Sequence, residues 1–200
     1  MKKYKKIVNN SKSGIIMQLN DTQNDQGDQY YFKIITAGEG GVGKTTLLYR
    51  YVDGVFLKDT KMTIGVEFFL KEINIDNNIY KLQLWDLGGE QQFRVLLKHY
   101  ISGASGALLM FDLTREITLL KLDEWIDLIR ETNRDLPILL LGTKFDLTEK
   151  ICVDDAHALQ HKEKFRLLDY LKISSKTGQN VNESFELITR KIIERIEEIQ

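Results

Sequence analysis

A glycine-rich segment near residue 40 carries the residue types that bind phosphate. It reads Gly38-Glu39-Gly40-Gly41-Val42-Gly43-Lys44-Thr45 and fits the pattern G-x-x-x-x-G-K-[ST]. Glycine lets the backbone approach phosphate oxygens, so that successive N–H groups donate to them, and a helix that begins here adds its positive end. Lys44 supplies charge for the β- and γ-phosphates, and the Thr45 hydroxyl a ligand for Mg²⁺. With Thr46, these residues are predicted to bind nucleotide phosphates rather than to form a simple glycine-rich turn.

An acidic residue follows a strand-like run further along the chain. The segment is Trp85-Asp86-Leu87-Gly88-Gly89-Glu90. An aspartate at the end of an apolar strand can hold the shell of a Mg²⁺ ion, and a glycine three residues later lets a backbone N–H meet the γ-phosphate. The D-x-x-G pattern is weak alone, but its place one hairpin after the phosphate loop strengthens it. We therefore predict Asp86 as a metal ligand and Gly89 as a phosphate contact.

Two further segments could bind a base. Gly142-Thr143-Lys144-Phe145-Asp146 ends an apolar run, and Ser174-Ser175-Lys176 ends another, at the strand ends where ligands of open α/β sheets bind. The Asp146 carboxylate can accept hydrogen bonds from N1–H and the exocyclic amine of guanine, a donor pair that adenine lacks. Lys144 can lay its stem along the base, and the 174–176 segment offers donors to the base carbonyl. We therefore predict a guanine site.

The elements that position these motifs alternate in type. Glycine-rich or polar segments separate apolar runs, and helical patterns follow most of them, as buried parallel strands with crossover helices require. Asp76-Asn77-Asn78 predicts a hairpin turn and hence one antiparallel strand. The predicted fold is α/β: a six-stranded, mostly parallel sheet with five flanking helices. Its strand-like runs are residues 31–36, 66–75, 79–85, 107–111, 138–141 and 170–173.

The last helix has the clearest pattern. Apolar residues recur at spacings of three and four with Glu and Lys between them, which indicates core packing on the sheet and leaves a partner-binding or coiled-coil role as the alternative. Asn180 and Glu183 are predicted to form a capping pair at its start. The apolar positions are Val181, Phe185, Ile188, Ile192, Ile196 and Ile199.

Composition indicates one folded domain behind an extension. The chain has 200 residues, of which 42% are hydrophobic and 28% charged, enough for one sizeable core. Residues 20–29 contain no hydrophobic side chain, and such a segment cannot offset the entropy of ordering. We predict a flexible basic and polar extension over residues 1–29 and a folded domain over residues 30–200. The extension has four lysines among its first six residues and a short apolar patch that ends at Leu19. The alternative to lipid contact by this segment is a disordered tail or an extra strand packed on the domain.

Charge and cysteine content exclude several classes of protein. The formal net charge is −1, so no basic field attracts nucleic acid, and we expect no nucleic-acid partner. One cysteine, Cys152, cannot form an intramolecular disulfide and indicates a reducing compartment. No run reaches the roughly 20 apolar residues of a membrane span, and no lipidation motif is present. We expect a cytoplasmic protein, peripheral to membranes at most, through weak and unlipidated contacts.

The four motifs, in this order and spacing, resemble the small GTPases of the Ras superfamily, nearest to Rab-like members with an Arf-like Asp-Leu-Gly-Gly element. The resemblance covers roughly Tyr30 to Gln200. It implies a P-loop G domain that binds GTP and GDP and hydrolyses GTP with Mg²⁺. It also implies that Phe56 edge-stacks on guanine, that Thr63 ligates Mg²⁺ in the triphosphate state and that Gly89 senses the γ-phosphate.

The resemblance further implies two switch regions, from Leu57 to Val66 and from Gly88 to Tyr100. Effector, exchange and GTPase-activating proteins, none of which the sequence identifies, would contact them. Thr143 stands where the family usually has asparagine, and Ser175 where alanine is common.

The resemblance implies that Lys44, Gly89 and Glu90 catalyse the hydrolysis of GTP. Of these three residues, Glu90 differs from the residue that the family usually has. Glu90 stands where the family usually has the glutamine that orients the attacking water. An ionised glutamate can only accept hydrogen bonds and brings negative charge to an anionic transition state. We therefore expect slow hydrolysis, with a nucleotide-binding scaffold of negligible activity as the alternative.

Two other functions are weaker alternatives. A small-molecule kinase with a P-loop would need an arginine-rich lid, which the eight scattered arginines do not form. His157 and His161, four residues apart on a predicted helix, have the spacing of a metal-binding pair but no third ligand.

Overall fold

The computed structural model describes residues 7–10, 15–18, 29–59, 63, 65–89 and 94–198. Within these residues, helices follow most of the strands from residue 29 onward. The strands are β1 (Ile7–Asn10), β2 (Ile15–Gln18), β3 (Gln29–Ala37), β4 (Val66–Ile75), β5 (Asn78–Leu87), β6 (Gly106–Asp112), β7 (Ile138–Thr143) and β8 (Tyr170–Lys172). The helices are α1 (Lys44–Asp53), α2 (Arg94–Ile101), α3 (Ile117–Leu120), α4 (Leu122–Thr132), α5 (Asp155–Phe165) and α6 (Val181–Glu197).

Strand β3 lies at the centre of the sheet. It pairs in parallel with β5 on one edge and with β6 on the other, and β7 and β8 continue the parallel side. Strand β4 pairs antiparallel with β5 through the hairpin turn at Asp76 and Asn77, both of which adopt positive φ. Strands β3 to β8 confirm the predicted six-stranded, mostly parallel sheet with its antiparallel pair. The single turn of α3, between α2 and α4, is additional to the five longer helices.

The hairpin β1–β2 adds two strands to this sheet. Strand β2 pairs antiparallel with the first half of β3, from Ile15 opposite Phe32 to Gln18 opposite Gln29. Strand β6 pairs only with the second half, from Ile34 onward, so the hairpin extends the edge that β6 leaves open. These strands belong to the predicted extension. Of its predicted linker over residues 20–29, residues 20–28 lie outside the described residues, and Gln29 is the first residue of β3. The domain boundary stays a prediction.

Apolar side chains cover both faces of the sheet. Neighbouring residues of a strand point to opposite faces, and Ile34 and Ile35 accordingly belong to different core clusters, both fully buried. One cluster includes Trp125 of α4, and the other includes Phe185 of α6, whose ring stacks on Tyr51 at 3.6 Å between centroids. Burial on both faces explains why the strands read as continuous apolar runs.

Helix α6 packs as its stripe predicts, but its predicted capping pair is wrong. Val181, Phe185 and Ile188 are buried. Asn180 adopts a left-handed conformation with φ 56° and makes no side-chain capping bond. Its Nδ2 instead donates to the Lys172 carbonyl oxygen at 2.8 Å. The amide side chain is therefore used to tie the end of β8 to the start of α6, and Ile199 lies outside the described residues.

Within the described part of the chain, no helix combines the length and apolarity needed to cross a bilayer.

Candidate nucleotide-binding site

The predicted motifs meet at one edge of the sheet. The phosphate loop follows β3, the Asp86 segment ends β5, and the two predicted base-binding segments follow β7 and β8. Because these strands are parallel, their carboxyl ends lie at the same edge, where open α/β sheets bind ligands. The topology therefore places phosphate-binding and base-binding residues on the same rim.

The phosphate loop needs its glycines for two different reasons. Gly38 has φ 137°, and a Cβ there would lie 2.2 Å from the Met110 carbonyl oxygen, so only glycine fits against β6. Gly43 precedes α1 with φ 100°. Helix α1 then starts with Lys44, and no acidic residue occupies its first turn. The unpaired N–H groups at this end, which include those of Thr45 and Thr46, are thus left for an anionic ligand.

Lys44 lies inside the loop. Its Nζ donates to the carbonyl oxygens of Gly38 at 2.8 Å and Glu39 at 3.0 Å, and the side chain is buried. Burial lowers the pKa of Lys44 to about 8, against the opposing attraction of Asp86 and Glu39. An anion that met this ammonium group would offset its desolvation, so the buried charge favours a phosphate ligand.

Three oxygen side chains converge at the expected metal position. Thr45 Oγ1 lies 2.5 Å from Asp86 Oδ2, and Thr63 Oγ1 lies 2.7 Å from Thr45 Oγ1 and 3.2 Å from Asp86 Oδ2. Asp86 is fully buried, and Thr36 Oγ1 donates to its other oxygen at 3.1 Å. Hydroxyl and carboxylate oxygens are hard ligands of the type that Mg²⁺ prefers. The residues therefore fit a magnesium site, with Thr36 orienting the carboxylate.

The two expected switch regions touch each other and the phosphate loop. Gly88 N donates to the Gly65 carbonyl oxygen at 2.9 Å. A Cβ on Gly89 would lie 2.5 Å from the Gly40 nitrogen. The backbone at Gly89 thus lies directly against the phosphate loop, and any side chain at residue 89 would displace one of the two.

Asp146 is held ready to accept hydrogen bonds. Its Oδ1 accepts from Ser174 Oγ at 2.7 Å, and Lys176 Nζ lies 3.8 Å from Oδ2. The Asp146 side chain is only 12% exposed. Ser174 is buried and also receives the Thr177 N–H on its Oγ. The two predicted base-binding segments are therefore joined, and Ser175 is half-buried beside them.

Thr143 and Lys144 act within the protein. Thr143 Oγ1 donates to the carbonyl oxygens of Val42 at 2.7 Å and Phe111 at 2.9 Å, so it links β7 to the phosphate loop. Lys144, with φ 60°, places Nζ 2.6 Å from Asp112 Oδ2. Burial acts to raise the pKa of the Asp112 carboxyl, but hydrogen bonds from Lys144, Thr114 and Arg115 outweigh it and hold that pKa below its usual value.

Three residues that the sequence does not single out brace the phosphate loop. Arg115 Nε pairs with Asp112 at 2.8 Å while its Nη2 donates to the Gly40 carbonyl oxygen at 3.1 Å. The Glu39 carboxylate accepts from Lys121 Nζ at 3.3 Å and from Trp125 Nε1 at 3.2 Å. Trp125 looks like an ordinary core residue of an amphipathic helix, so no sequence signal marks its indole N–H as a partner of Glu39.

An aromatic cluster lies beside the switch segments. The Phe68 and Trp85 rings meet edge to face at 5.4 Å, Trp85 and Tyr100 lie 6.0 Å apart, and the Lys33 ammonium sits 4.2 Å from the Trp85 ring centroid. Phe68 is 46% and Tyr100 39% exposed. Large apolar residues on the solvent face of β4 depart from the usual polar alternation, which is the signal that could have revealed this surface.

The structure does not bring Phe56, His157 or His161 into contact with the described residues of the site. Phe56 is 37% exposed after α1, and among the described residues no hydrogen bond or ring contact joins it to the Asp146 cluster. Glu90 lies outside the described residues. His157 and His161 face different carboxylates, those of Glu116 and Asp123, and no described group of three His, Cys, Asp or Glu could hold a metal.

Comparison with known proteins gives matches over most of the chain. Residues 33–194 match the Ras family. The chain is 33% identical over 178 residues to "Ras-related protein YPT3" of Nicotiana plumbaginifolia, covering 85% of this chain and 82% of that protein. It is 36% identical over 174 residues to "Ras-related protein Rab-19" of Bos taurus, covering 86% and 79% respectively.

Proposed function

Because the chain belongs to the Ras family and is a Rab-like, GTP-binding GTPase, we propose that it is a Mg²⁺-dependent switch whose two loops change with the nucleotide. The observation that carries this proposal is the convergence of Thr45, Thr63 and Asp86 beside the Lys44 ammonium. The Asp146 cluster on the same rim supports guanine as the base.

Each residue would have a distinct role in binding. The N–H groups at the start of α1 and the Lys44 ammonium bind the β- and γ-phosphates. Thr45, Thr63 and Asp86 would hold the metal, which would supply positive charge to offset the negative charge of the phosphates. Asp146 accepts from guanine, while Lys144, Ser174, Ser175 and Lys176 line the base site. The stem of Lys144 stays partly exposed beside its ion pair to Asp112.

The contacts between the two loops would depend on which nucleotide is bound. Gly65 and Gly88 are joined by a hydrogen bond, and Gly89 abuts Gly40. A γ-phosphate that engages Thr63 and the Gly89 N–H would keep these segments together, and its loss would release them. The neighbouring exposed rings of Phe68 and Tyr100 supply an apolar surface beside the loops, which suits effector and regulator proteins.

Hydrolysis is proposed to be slow because of Glu90. A carboxylate at that position accepts a hydrogen bond from the attacking water but cannot donate to the phosphoryl oxygens. The second candidate, a scaffold that retains GTP, rests on the same residue. The protein is proposed to be cytoplasmic, and residues 1–29, with four lysines among the first six residues, are proposed to give it a weak attraction to anionic lipid.

The nucleotide that co-purifies with the protein tests both candidates. The switch predicts bound GDP and slow, Mg²⁺-dependent single-turnover hydrolysis of added GTP, whereas the scaffold predicts retained GTP without turnover. A chelator is expected to accelerate GDP release, and Thr45→Asn to bias the protein toward GDP-bound or empty states. The proposal would be contradicted if the chelator did not change the rate of GDP release and if ATP competed with labelled GDP as well as unlabelled GDP does.

A further inference from the structure

A basic cavity lies at the end of the sheet opposite the nucleotide site. Its volume is about 580 Å³, within the range of roughly 300–1,000 Å³ that is typical of small-molecule sites. It is formed by the last turns of α4, α5 and α6 and by the segments that lead into β7 and β8. Because the nucleotide site lies at the carboxyl ends of these parallel strands, the cavity is separate from it.

The lining of the cavity segregates charge. The floor is apolar and includes Leu136, Ile138, Phe165 and Leu168, while the rim carries five cationic and two acidic side chains. This is a local excess of positive charge in a chain whose formal net charge is −1. The cationic residues are Arg130, Arg134, Arg166, Lys191 and Arg195.

Two of the arginines are held in place by carbonyl oxygens and not by carboxylates. Arg130 Nη1 donates to the carbonyl oxygens of Arg134 at 2.8 Å and Leu136 at 2.6 Å. Arg195 Nη1 donates to the Asp135 carbonyl oxygen. Burial lowers the pKa of Arg130. The charge of Asp135 opposes this shift in part, and the charge of Arg195 lowers the pKa further. The two guanidinium charges are thus close together and fixed, with no carboxylate paired to either among the described residues.

The side chains of the other two arginines do not help to hold the described part of the chain together. Arg134 and Arg166 are exposed, and no side-chain hydrogen bond or ion pair joins either of them to a described residue. Arg166 also occupies the residue after α5 with φ 51°, a left-handed position that glycine fills most easily. Cations near the carboxyl end of a helix can offset the helix dipole. A lysine or arginine inside the last turn would have the same effect, so the dipole does not require an arginine at residue 166.

We propose that this cavity binds a small ligand with two or more phosphate groups. Guanidinium groups donate in a planar fork that matches phosphate oxygens, and several of them converge here above an apolar floor suited to the carbon frame of the ligand. The same chemistry occurs in a soluble inositol phosphate and in the headgroup of a phosphoinositide lipid.

The binding test uses the full chain loaded with GDP and Mg²⁺, so that the phosphate loop is already filled. Titration calorimetry with inositol trisphosphate is expected to show binding that weakens with salt. Arg166→Gln should weaken it by about fivefold or more, since a charge-assisted hydrogen bond is lost. Lys150→Gln, which removes an equally exposed cation outside the cavity, should change it by less than about twofold.

A second variant separates ligand binding from folding. Arg166→Gly removes the charge while relieving the left-handed backbone, so it should raise the unfolding temperature and still weaken binding. Sedimentation with vesicles that contain phosphatidylinositol bisphosphate identifies a lipid source if wild type binds them better than Arg166→Gly. Binding of inositol trisphosphate alone identifies a soluble source. Absence of binding in both assays, or equal binding by wild type and Arg166→Gly, would overturn the proposal, while GDP release reports the nucleotide site independently.

Discussion

Replacing Thr143 by valine is expected to loosen the phosphate loop from a distance of 101 residues along the chain. Valine has nearly the same shape but no hydroxyl, so Thr143→Val removes the donor shared by the Val42 and Phe111 carbonyl oxygens. Both of these residues are fully buried, and water cannot readily replace the lost donor. The substitution therefore separates the hydrogen bond from packing.

The burial of these carbonyl oxygens determines how large the effect of Thr143→Val should be. A buried carbonyl left without its donor costs about 1–3 kcal/mol, and the middle of that range, about 2 kcal/mol, corresponds to roughly 30-fold in an equilibrium constant. Because Val42 belongs to the phosphate loop, part of this cost should fall on nucleotide binding. We expect a faster release of GDP, by up to about 30-fold, together with a lower free energy of unfolding.

The assay follows release of a fluorescent GDP analogue into excess unlabelled GDP at constant Mg²⁺, with urea unfolding in parallel. Thr143→Ser is the matched control, because it keeps the donor and loses only a methyl group, at about 1 kcal/mol of stability. If Thr143→Val releases GDP no faster than Thr143→Ser, the hydroxyl does not hold the loop, and its role in nucleotide binding is refuted.

Four further predictions concern the base, the phosphate loop, hydrolysis and the extension. Asp146→Asn should weaken GDP binding by at least about tenfold and favour xanthine nucleotides; competition between GDP and XDP measures this, and an unchanged ratio contradicts it. Burial holds the pKa of Lys44 at about 8 in the free protein, and bound phosphates favour its charged form. Nucleotide binding must then take up a proton above that pH, so affinity should fall by about fivefold from pH 8 to pH 9; a constant Kd over this range would be inconsistent with a buried Lys44. Glu90→Gln should raise single-turnover hydrolysis by about tenfold, or roughly 1.4 kcal/mol of barrier, and an equal or lower rate would show that Glu90 points away or acts as a base. Deleting residues 1–29 should reduce sedimentation with anionic vesicles, whereas equal partitioning of both forms rejects the lipid contact.

Local chemistry made much of the site predictable from sequence. Gly38 to Thr45 form a contiguous loop whose conformation depends on glycine and on the helix that begins at Lys44. Asp86 and Asp146 come directly at or after the ends of apolar strands, so the alternation of strand and helix was enough to place them on one edge. The fold class follows from the same pattern, because strands that are buried on both faces of the sheet have continuous apolar sequences.

The predicted capping pair shows that a local sequence pattern does not always determine the contacts of a side chain. Asn180 followed by Glu183 fits a helix start, yet the Asn180 amide bonds to Lys172 in the preceding strand. Strand β2 is a similar case: an apolar patch was visible in the sequence, but its pairing depends on the half of β3 that β6 leaves uncovered. Which edge stays open is a property of the assembled sheet.

Tertiary structure alone decided how the phosphate loop is supported. Arg115 reaches Gly40, Trp125 reaches Glu39 and Thr143 reaches Val42 across separations of 75, 86 and 101 residues. Each partner is a carbonyl or a carboxylate that many side chains could serve, so residue type does not specify the pair. The pairs form because parallel strands bring distant loops to one edge, and the basic cavity forms at the other edge because three helices end there.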